Sequence, residues 1–173
     1  LERATPAPFF VTALMQTHGR GRQGRVWHME KGRSLALTLV VRLPSDRLEG
    51  LSLLVGLGIL ECLQESSLRL KWPNDIMLDD QKIGGVLIES KSSGAWADVA
   101  IGIGLNLLPL QNASYSSLKR IVSEQALATT ILGETEKFIE KGFSFYSDRY
   151  NDVLWKKGED VDFMVGGERT RVT

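Results

Sequence analysis

Gly19-Arg20-Gly21-Arg22-Gln23-Gly24-Arg25-Val26-Trp27 is the stretch from which the rest of this chain is read. Three arginines fall within six residues, interleaved with three glycines, and no apolar side chain interrupts them before Val26. Such a run can pack no core of its own. It can close its backbone around an anion, because glycine lets N–H groups approach a ligand closely. Arginine adds planar, permanently charged forks that match phosphate and carboxylate oxygens. Taken alone, the stretch is equally readable as a solvated basic loop or as an RGG-like tether to RNA.

The second informative stretch is Lys71-Trp72-Pro73-Asn74-Asp75, followed by Lys82-Ile83-Gly84-Gly85-Val86-Leu87-Ile88-Glu89. A lysine, an amide and a carboxylate gather around a proline turn, and a further lysine precedes two glycines within an apolar run. Each piece alone reads as a turn with surface lysines. Glycine inside a strand weakens pairing, and its usual reason is close approach of something to the backbone. Gly102-x-Gly104 in Ala97–Leu107 repeats that pattern.

Outward from these stretches, Phe9–Met15 and Ser34–Arg42 read as strands, the second apolar on both faces and therefore central. Pro44-Ser45-Asp46 is helix-start chemistry, with Ser45 or Asp46 as the cap. The spacing of Leu48, Leu51, Val55, Ile59 and Leu63 predicts a helix to about Ser66. Gly56 and Gly58 within it suggest close packing on the sheet. Leu68–Trp72 is a short strand stopped by Pro73, and Ile76–Leu78 with Lys82–Ser90 form a hairpin. Leu118–Lys141 has a helical pattern capped by Gly142, and Phe143–Trp155 is a short aromatic-rich helix docking on the core. Asp160–Val165 and Glu168–Thr173 flank Gly166-Gly167, a two-residue hairpin turn.

At 173 residues, one domain or one domain with a small appendage is expected. The 21 basic and 21 acidic side chains balance, which argues against general nucleic-acid affinity. The lone Cys62 can form no internal disulfide and reads as a small core residue. His18 and His28 flank the basic loop without further ligands at metal-binding spacing, so they read as polar loop residues. No signal peptide opens the chain and no apolar run reaches membrane-spanning length, so a cytoplasmic location is the expectation.

With these pieces in hand, the chain resembles the catalytic domain of biotin protein ligases (biotin–[acetyl-CoA-carboxylase] ligases), including the bifunctional biotin repressor type. The resemblance rests on Gln16–Trp27, Lys71–Asp75, Lys82–Glu89 and Ile101-Gly102-Ile103-Gly104-Leu105-Asn106-Leu107, in the family's order and spacing, and spans roughly Phe9 to Phe163. It implies an α+β fold: a mixed, mostly antiparallel sheet with helices packed on it, like class II aminoacyl-tRNA synthetases, plus the start of a small C-terminal SH3-like β-barrel. Residues 1–157 would form the catalytic domain, its N-terminal part missing, and residues 158–173 the first hairpin of a truncated second domain. The family's Ser/Thr-Thr-Asn segment, which contacts the biotin ureido ring, precedes the point where this chain begins, as does any helix-turn-helix.

The resemblance further implies activation of biotin by ATP with Mg²⁺ to biotinyl-5'-AMP, then transfer to one lysine of a biotin carboxyl carrier domain. A homodimer is open to such a chain; nucleic acid and membrane partners are not expected of it. Carried over residue by residue, Lys82 and Arg22 are catalytic. Gln16, Gly19, Arg20, Gly21, Arg22, Lys82, Gly85 and Gly102 meet biotin. Arg20, Arg22, Arg25, Trp27, Lys71, Asn74, Lys82 and Asn106 meet ATP. The metal ligands are unknown. Trp27 either covers the nucleotide or anchors the loop's end, and Asp75 orients Lys71, aids deprotonation of the incoming amine, or caps its turn. Two rivals stand beside this reading: a lipoate–protein ligase, which shares the fold and the acyl-adenylate chemistry, and a nucleic-acid-binding module using the Gly-Arg loop.

Overall fold

The computed structural model describes residues 6–111, 115–165 and 168–172. The strands are β1 (Phe9–Ala13), β2 (Ser34–Pro44), β3 (Leu68–Lys71), β4 (Asp75–Leu78), β5 (Gln81–Ser93) and β6 (Trp96–Asn106), and the helices α1 (Leu51–Leu63), α2 (Glu124–Lys141) and α3 (Ser147–Asp152). A separate pair, β7 (Val161–Val165) and β8 (Glu168–Val172), follows. The six strands form one sheet in the order β1-β2-β6-β5-β4-β3, with every neighbouring pair antiparallel. A parallel element enters through the isolated bridge Leu70↔Leu154, where the chain after α3 lies along the outer edge of β3. This is the α+β architecture the resemblance implies, with β2 in the sheet interior.

Register decides what each sheet face can do. Leu37, Ile103 and Val86 lie opposite one another across β2, β6 and β5, and so do Leu39, Ile101 and Ile88. These side chains face α1 and α2 and form the core. One residue away, the other face carries Ala36, Gly104 and Gly85 in one row and Thr38, Gly102 and Leu87 in the next. Side chains alternate faces along a strand, so one face is bulky and the other almost bare. Along β2 the core-facing Leu35, Leu37, Leu39, Val41 and Leu43 are all buried, whereas on the other face Thr38 and Val40 are only partly buried and Arg42 is exposed.

The first helix starts later than its sequence suggests. Ser45 does not cap it: the Ser45 hydroxyl donates to the Gly94 carbonyl and its amide to Ala95, tying Ser45–Arg47 to the β5–β6 turn as a 3₁₀ segment. The helix begins after Gly50, which takes φ 77° beneath Phe143; an added Cβ would come within 2.7 Å of that ring. Gly56 packs on the sheet as expected, with Leu70 Cδ2 2.9 Å from where its Cβ would stand. Gly58 instead meets Ile131 of α2. The second helix is also shorter than expected. Ser123 caps it by accepting from the Ala126 amide, while Leu118 and Arg120 bond through their amides to the Asn106 and Leu107 carbonyls. Those tertiary bonds hold 118–122 out of the helix, and Ile121 is exposed.

Tyr146 and Tyr150 are buried, so 143–155 docks as expected. The expected Gly166-Gly167 turn lies outside the described residues. The Tyr150 hydroxyl is buried without a hydrogen-bond partner, and burial pushes its ionisation up to about 12. Raising an acid's folded pKa keeps its contribution whole below the unfolded value and removes it as pH climbs from there through the folded value. Tyr150→Phe is therefore expected to leave stability at neutral pH unchanged or raised by about 0–1 kcal/mol, and to lose less stability between pH 10 and 12. Urea denaturation at pH 7 and pH 11 checks both; a clear loss at pH 7 would contradict it.

Candidate active site

The bare face of the sheet floors a cavity of about 620 Å³, within the size range of small-ligand sites, roughly 300–1,000 Å³. Its floor is Ala36, Thr38, Gly85, Gly102 and Gly104, its basic wall is Arg20–His28, and Asn74, Asp75 and Lys82 close another side. Gly102 and Gly85 leave real space: the nearest atoms to an added Cβ are 3.5 and 3.4 Å away. Gly104 is different, since the Trp27 ring lies on it and an added Cβ would stand 2.5 Å from Trp27 Cε2. Gly84 is turned to the core face, where the Gly104 carbonyl and Leu105 leave no room for a side chain. The two glycines at 84 and 85 thus answer to different neighbours, the adjoining strand and the cavity.

The basic loop is more ordered than its composition suggests. The Gly21 amide donates to Arg25 (2.7 Å), the Trp27 amide to Gly19 (2.9 Å) and the Arg25 amide to Arg22 (3.1 Å), so the loop closes as a small hairpin with Gln23 at φ 55°. Arg20 pairs with Glu89 of β5 at 3.2 Å, and Arg22 reaches Asn74 Oδ1 at 3.5 Å. Residues 22–26 remain exposed. Like charges at the loop tip repel until an anion joins them. Hydrogen exchange at Arg22–Gly24 is therefore expected to slow when an anionic ligand fills the cavity; unchanged exchange at saturation would count against the loop as a ligand contact.

Lys82 stands at the start of β5 and its ammonium pairs with Asp75 Oδ1 at 2.5 Å. It lies 3.6 Å from where a Cβ of Gly85 would be, so its stem runs over that glycine into the cavity. Asp75 thus holds Lys82. Asn74 is fixed by its own side chain, which donates to the Val86 carbonyl at 2.8 Å, and by the Val86 amide, which donates to its carbonyl. Ser52 of α1 donates to the Pro73 carbonyl behind this turn.

Of the residues expected at the site, Gln16, Arg20, Gly21, Arg22, Arg25, Trp27, Asn74, Lys82, Gly85, Gly102 and Asn106 all line this cavity. Gly19 does not: it is buried beneath the loop, against Trp27 and Gln16. Lys71 does not line it either, and its ammonium lies over the Trp155 ring at 4.5 Å. Trp27 anchors the end of the loop on β6 and also lines the cavity. His18 and His28 border the cavity, His18 with its ring against the Thr17 hydroxyl. Among the described residues no group of three or more His, Cys, Asp or Glu is placed to hold a metal. Tyr115, which the sequence reading passed over, also lines the cavity. Its segment carries no motif, so proximity in space alone brings it there. Trp27 Nε1 and Asn106 Oδ1 are buried with no protein partner, leaving a donor and an acceptor unfilled on two lining residues.

A sheet face cleared of side chains, walled by arginines and closed by a lysine–carboxylate pair defines a site for a slender anionic ligand. In agreement, residues 1–106 match the biotin/lipoate A/B protein ligase family model, and the chain belongs to that family. It is 39% identical over 175 residues to the bifunctional ligase/repressor BirA of Escherichia coli, covering 89% of this chain and 54% of that protein. It is 30% identical over 155 residues to BirA of Bacillus subtilis, covering 86% of this chain and 48% of that one. The chain thus spans about half the length of these curated relatives. Among solved structures, the biotin protein ligase of Aquifex aeolicus in complex with biotin and ATP superposes with a TM-score of 0.80 at 26% identity, covering 98% of this chain and 78% of that one. The biotin acetyl coenzyme A carboxylase synthetase of Helicobacter pylori with bound biotinylated ATP gives 0.69 at 27%, covering 96% and 78%.

Proposed function

We propose that this chain is the catalytic part of a biotin protein ligase: it joins biotin to ATP as biotinyl-5'-AMP and passes biotin to a lysine of a biotin carboxyl carrier domain, in the cytoplasm. The observation that carries this reading is the Lys82 ammonium held by Asp75 over the bare strip Gly85–Gly102, facing the arginine loop. A fused-ring acid with a flat, slender body suits a slot floored by glycines, and its carboxylate would end at Lys82. In the first step a biotin carboxylate oxygen attacks the α-phosphorus of ATP, the bond to the β-phosphate oxygen breaks, and pyrophosphate leaves. In the second, the carrier lysine attacks the acyl carbon, AMP leaves, and the ammonium proton passes to water or to Asp75.

Two anions must meet in the first step, so catalysis is positioning plus preorganised positive charge. Gln16, Gly21 and Arg22 would contact biotin, with Arg20 beside them. Lys82 would bridge the carboxylate and the α-phosphate, and Arg25 with Asn74 would meet the polyphosphate. Asn106 Oδ1 would accept from the adenine amine, and Tyr115 offers a ring face to the base. Mg²⁺ takes few protein ligands together with phosphate oxygens and waters; with Asp75 paired to Lys82, the ATP phosphates and the Asn74 amide oxygen would hold it. Once bound it would neutralise charge on the departing pyrophosphate. Gly19 and Lys71 have no direct part in this scheme. We place the boundary of the catalytic domain at 157/158, with β7 and β8 as the start of a second small domain.

The test is incubation with biotin, ATP and Mg²⁺, read by mass spectrometry for biotinyl-AMP, beside a parallel reaction with lipoate. Biotinyl-AMP alone supports the proposal; lipoyl-AMP alone replaces it with the lipoate reading. Binding of RNA that weakens steeply with salt, with neither adenylate formed, would favour the nucleic-acid module.

A further inference from the structure

Two segments some eighty residues apart in the chain overhang the cavity: the arginine loop ending at Trp27–His28, and the stretch after β6 that carries Tyr115. The residues between the loop and β2 grip that second stretch at four points. Glu30 Oε1 accepts from the Gln111 amide at 2.8 Å. Arg33 Nη1 donates to the Pro109 carbonyl at 2.7 Å. The Arg33 carbonyl accepts from the Leu107 and Leu108 amides at 2.8 and 3.0 Å. Glu30 and Arg33 face each other at 3.8 Å. Their own turn is fixed, since the Glu30 carbonyl takes the Arg33 and Ser34 amides and the Glu30 amide donates to Ser34 Oγ. Beyond the grip, Asn106 donates to the Ser116 carbonyl and accepts at its own carbonyl from Leu118, so bonds also hold the chain just after Tyr115.

Neither side chain lines the cavity. A pair at this distance with both partners partly exposed contributes little to stability. What it does fix is geometry: movement of the loop end is transmitted to 107–111 through bonds on both its carboxylate and its guanidinium. We propose that Glu30 and Arg33 are positioning residues that couple the two halves of the site, so that settling of the arginine loop on the acid presets residues 107–111 for the nucleotide. This rests on the functional reading above. A ligand that orders one segment then lowers the cost of ordering the other for its partner, and the two affinities rise together by the same factor.

The experiment measures biotin affinity by calorimetry with and without saturating α,β-methylene-ATP, in the intact chain and in Arg33→Gln, Glu30→Ala and Glu30→Gln. In the intact chain the analogue is expected to raise biotin affinity about fivefold or more; in Arg33→Gln and Glu30→Ala that ratio falls below about twofold, while affinity for biotin alone changes little. Glu30→Gln keeps an acceptor for the Gln111 amide and should retain an intermediate ratio. Hydrogen exchange gives a second readout: biotin alone should slow the Gln111 amide in the intact chain but leave it unchanged in Glu30→Ala, which removes its acceptor. An unchanged ratio with transmitted protection in the variants overturns the coupling. So does a loss of biotin affinity that merely tracks a lowered melting temperature. If the intact chain binds biotin with no influence from the analogue, the coupling falls while the functional reading stands. If it binds no biotin, both fall.

Discussion

Lys82→Ala is expected to slow formation of the acyl-adenylate by about 10²–10³-fold, the effect of removing one preorganised positive group from a site where charge gathers. A carboxylate and an α-phosphate at reacting distance repel strongly once water is excluded. The Lys82 ammonium is the cation the fold holds over the Gly85 strip, and Asp75 fixes it there at 2.5 Å. Removing it also leaves the Asp75 carboxylate facing two incoming anions. Transfer from pre-made biotinyl-AMP should suffer less, because no second anion approaches in that step. The fold should survive: Lys82 is partly exposed and stands at a strand start, outside the core. Both half-reactions and a melting curve are compared with the unaltered chain. Untouched adenylation, or equal collapse of both steps with a lowered melting temperature, would return Lys82 to the standing of a surface lysine.

Arg22→Gly is expected to weaken retention of the adenylate. Arg22 is exposed at the loop tip and its Nη1 stands 3.5 Å from Asn74 Oδ1, between the two walls of the cavity. A charge-assisted hydrogen bond of this kind contributes about 1.5–3 kcal/mol, so affinity should drop roughly ten- to a hundred-fold. Adenylate released early would acylate lysines without selection. The dissociation rate of biotinyl-AMP, followed by rapid dilution, decides it; retention equal to that of the unaltered chain would remove Arg22 from the site. Loss of the side chain should not disturb the loop backbone, since the Arg25 amide bonds to the Arg22 carbonyl, which glycine keeps.

Much of this was legible in the linear chain. Apolar, β-branched and aromatic runs bounded by turn residues placed each strand of the main sheet, because such side chains suit a pleated, packed surface. Pro73 marked the end of β3, and Gly142 the end of α2. The arginine loop, Lys82 and Asn74 announced themselves by residue type, since charge and glycine at that density have no use in a core. Tertiary contacts decided the remainder. Whether Ser45 caps a helix depends on the Gly94 carbonyl far along the chain, and whether Leu118–Val122 is helical depends on the carbonyls of Asn106 and Leu107. Which of Gly84 and Gly85 faces the cavity follows from register, where a shift of one residue exchanges the sheet's faces. Lys71 and Lys82 look alike in sequence. Only the folded chain lays one against Trp155 and swings the other over Gly85, because the Lys71 ammonium meets the segment leaving α3, far along the chain, while the Lys82 ammonium meets Asp75 across the β4–β5 hairpin.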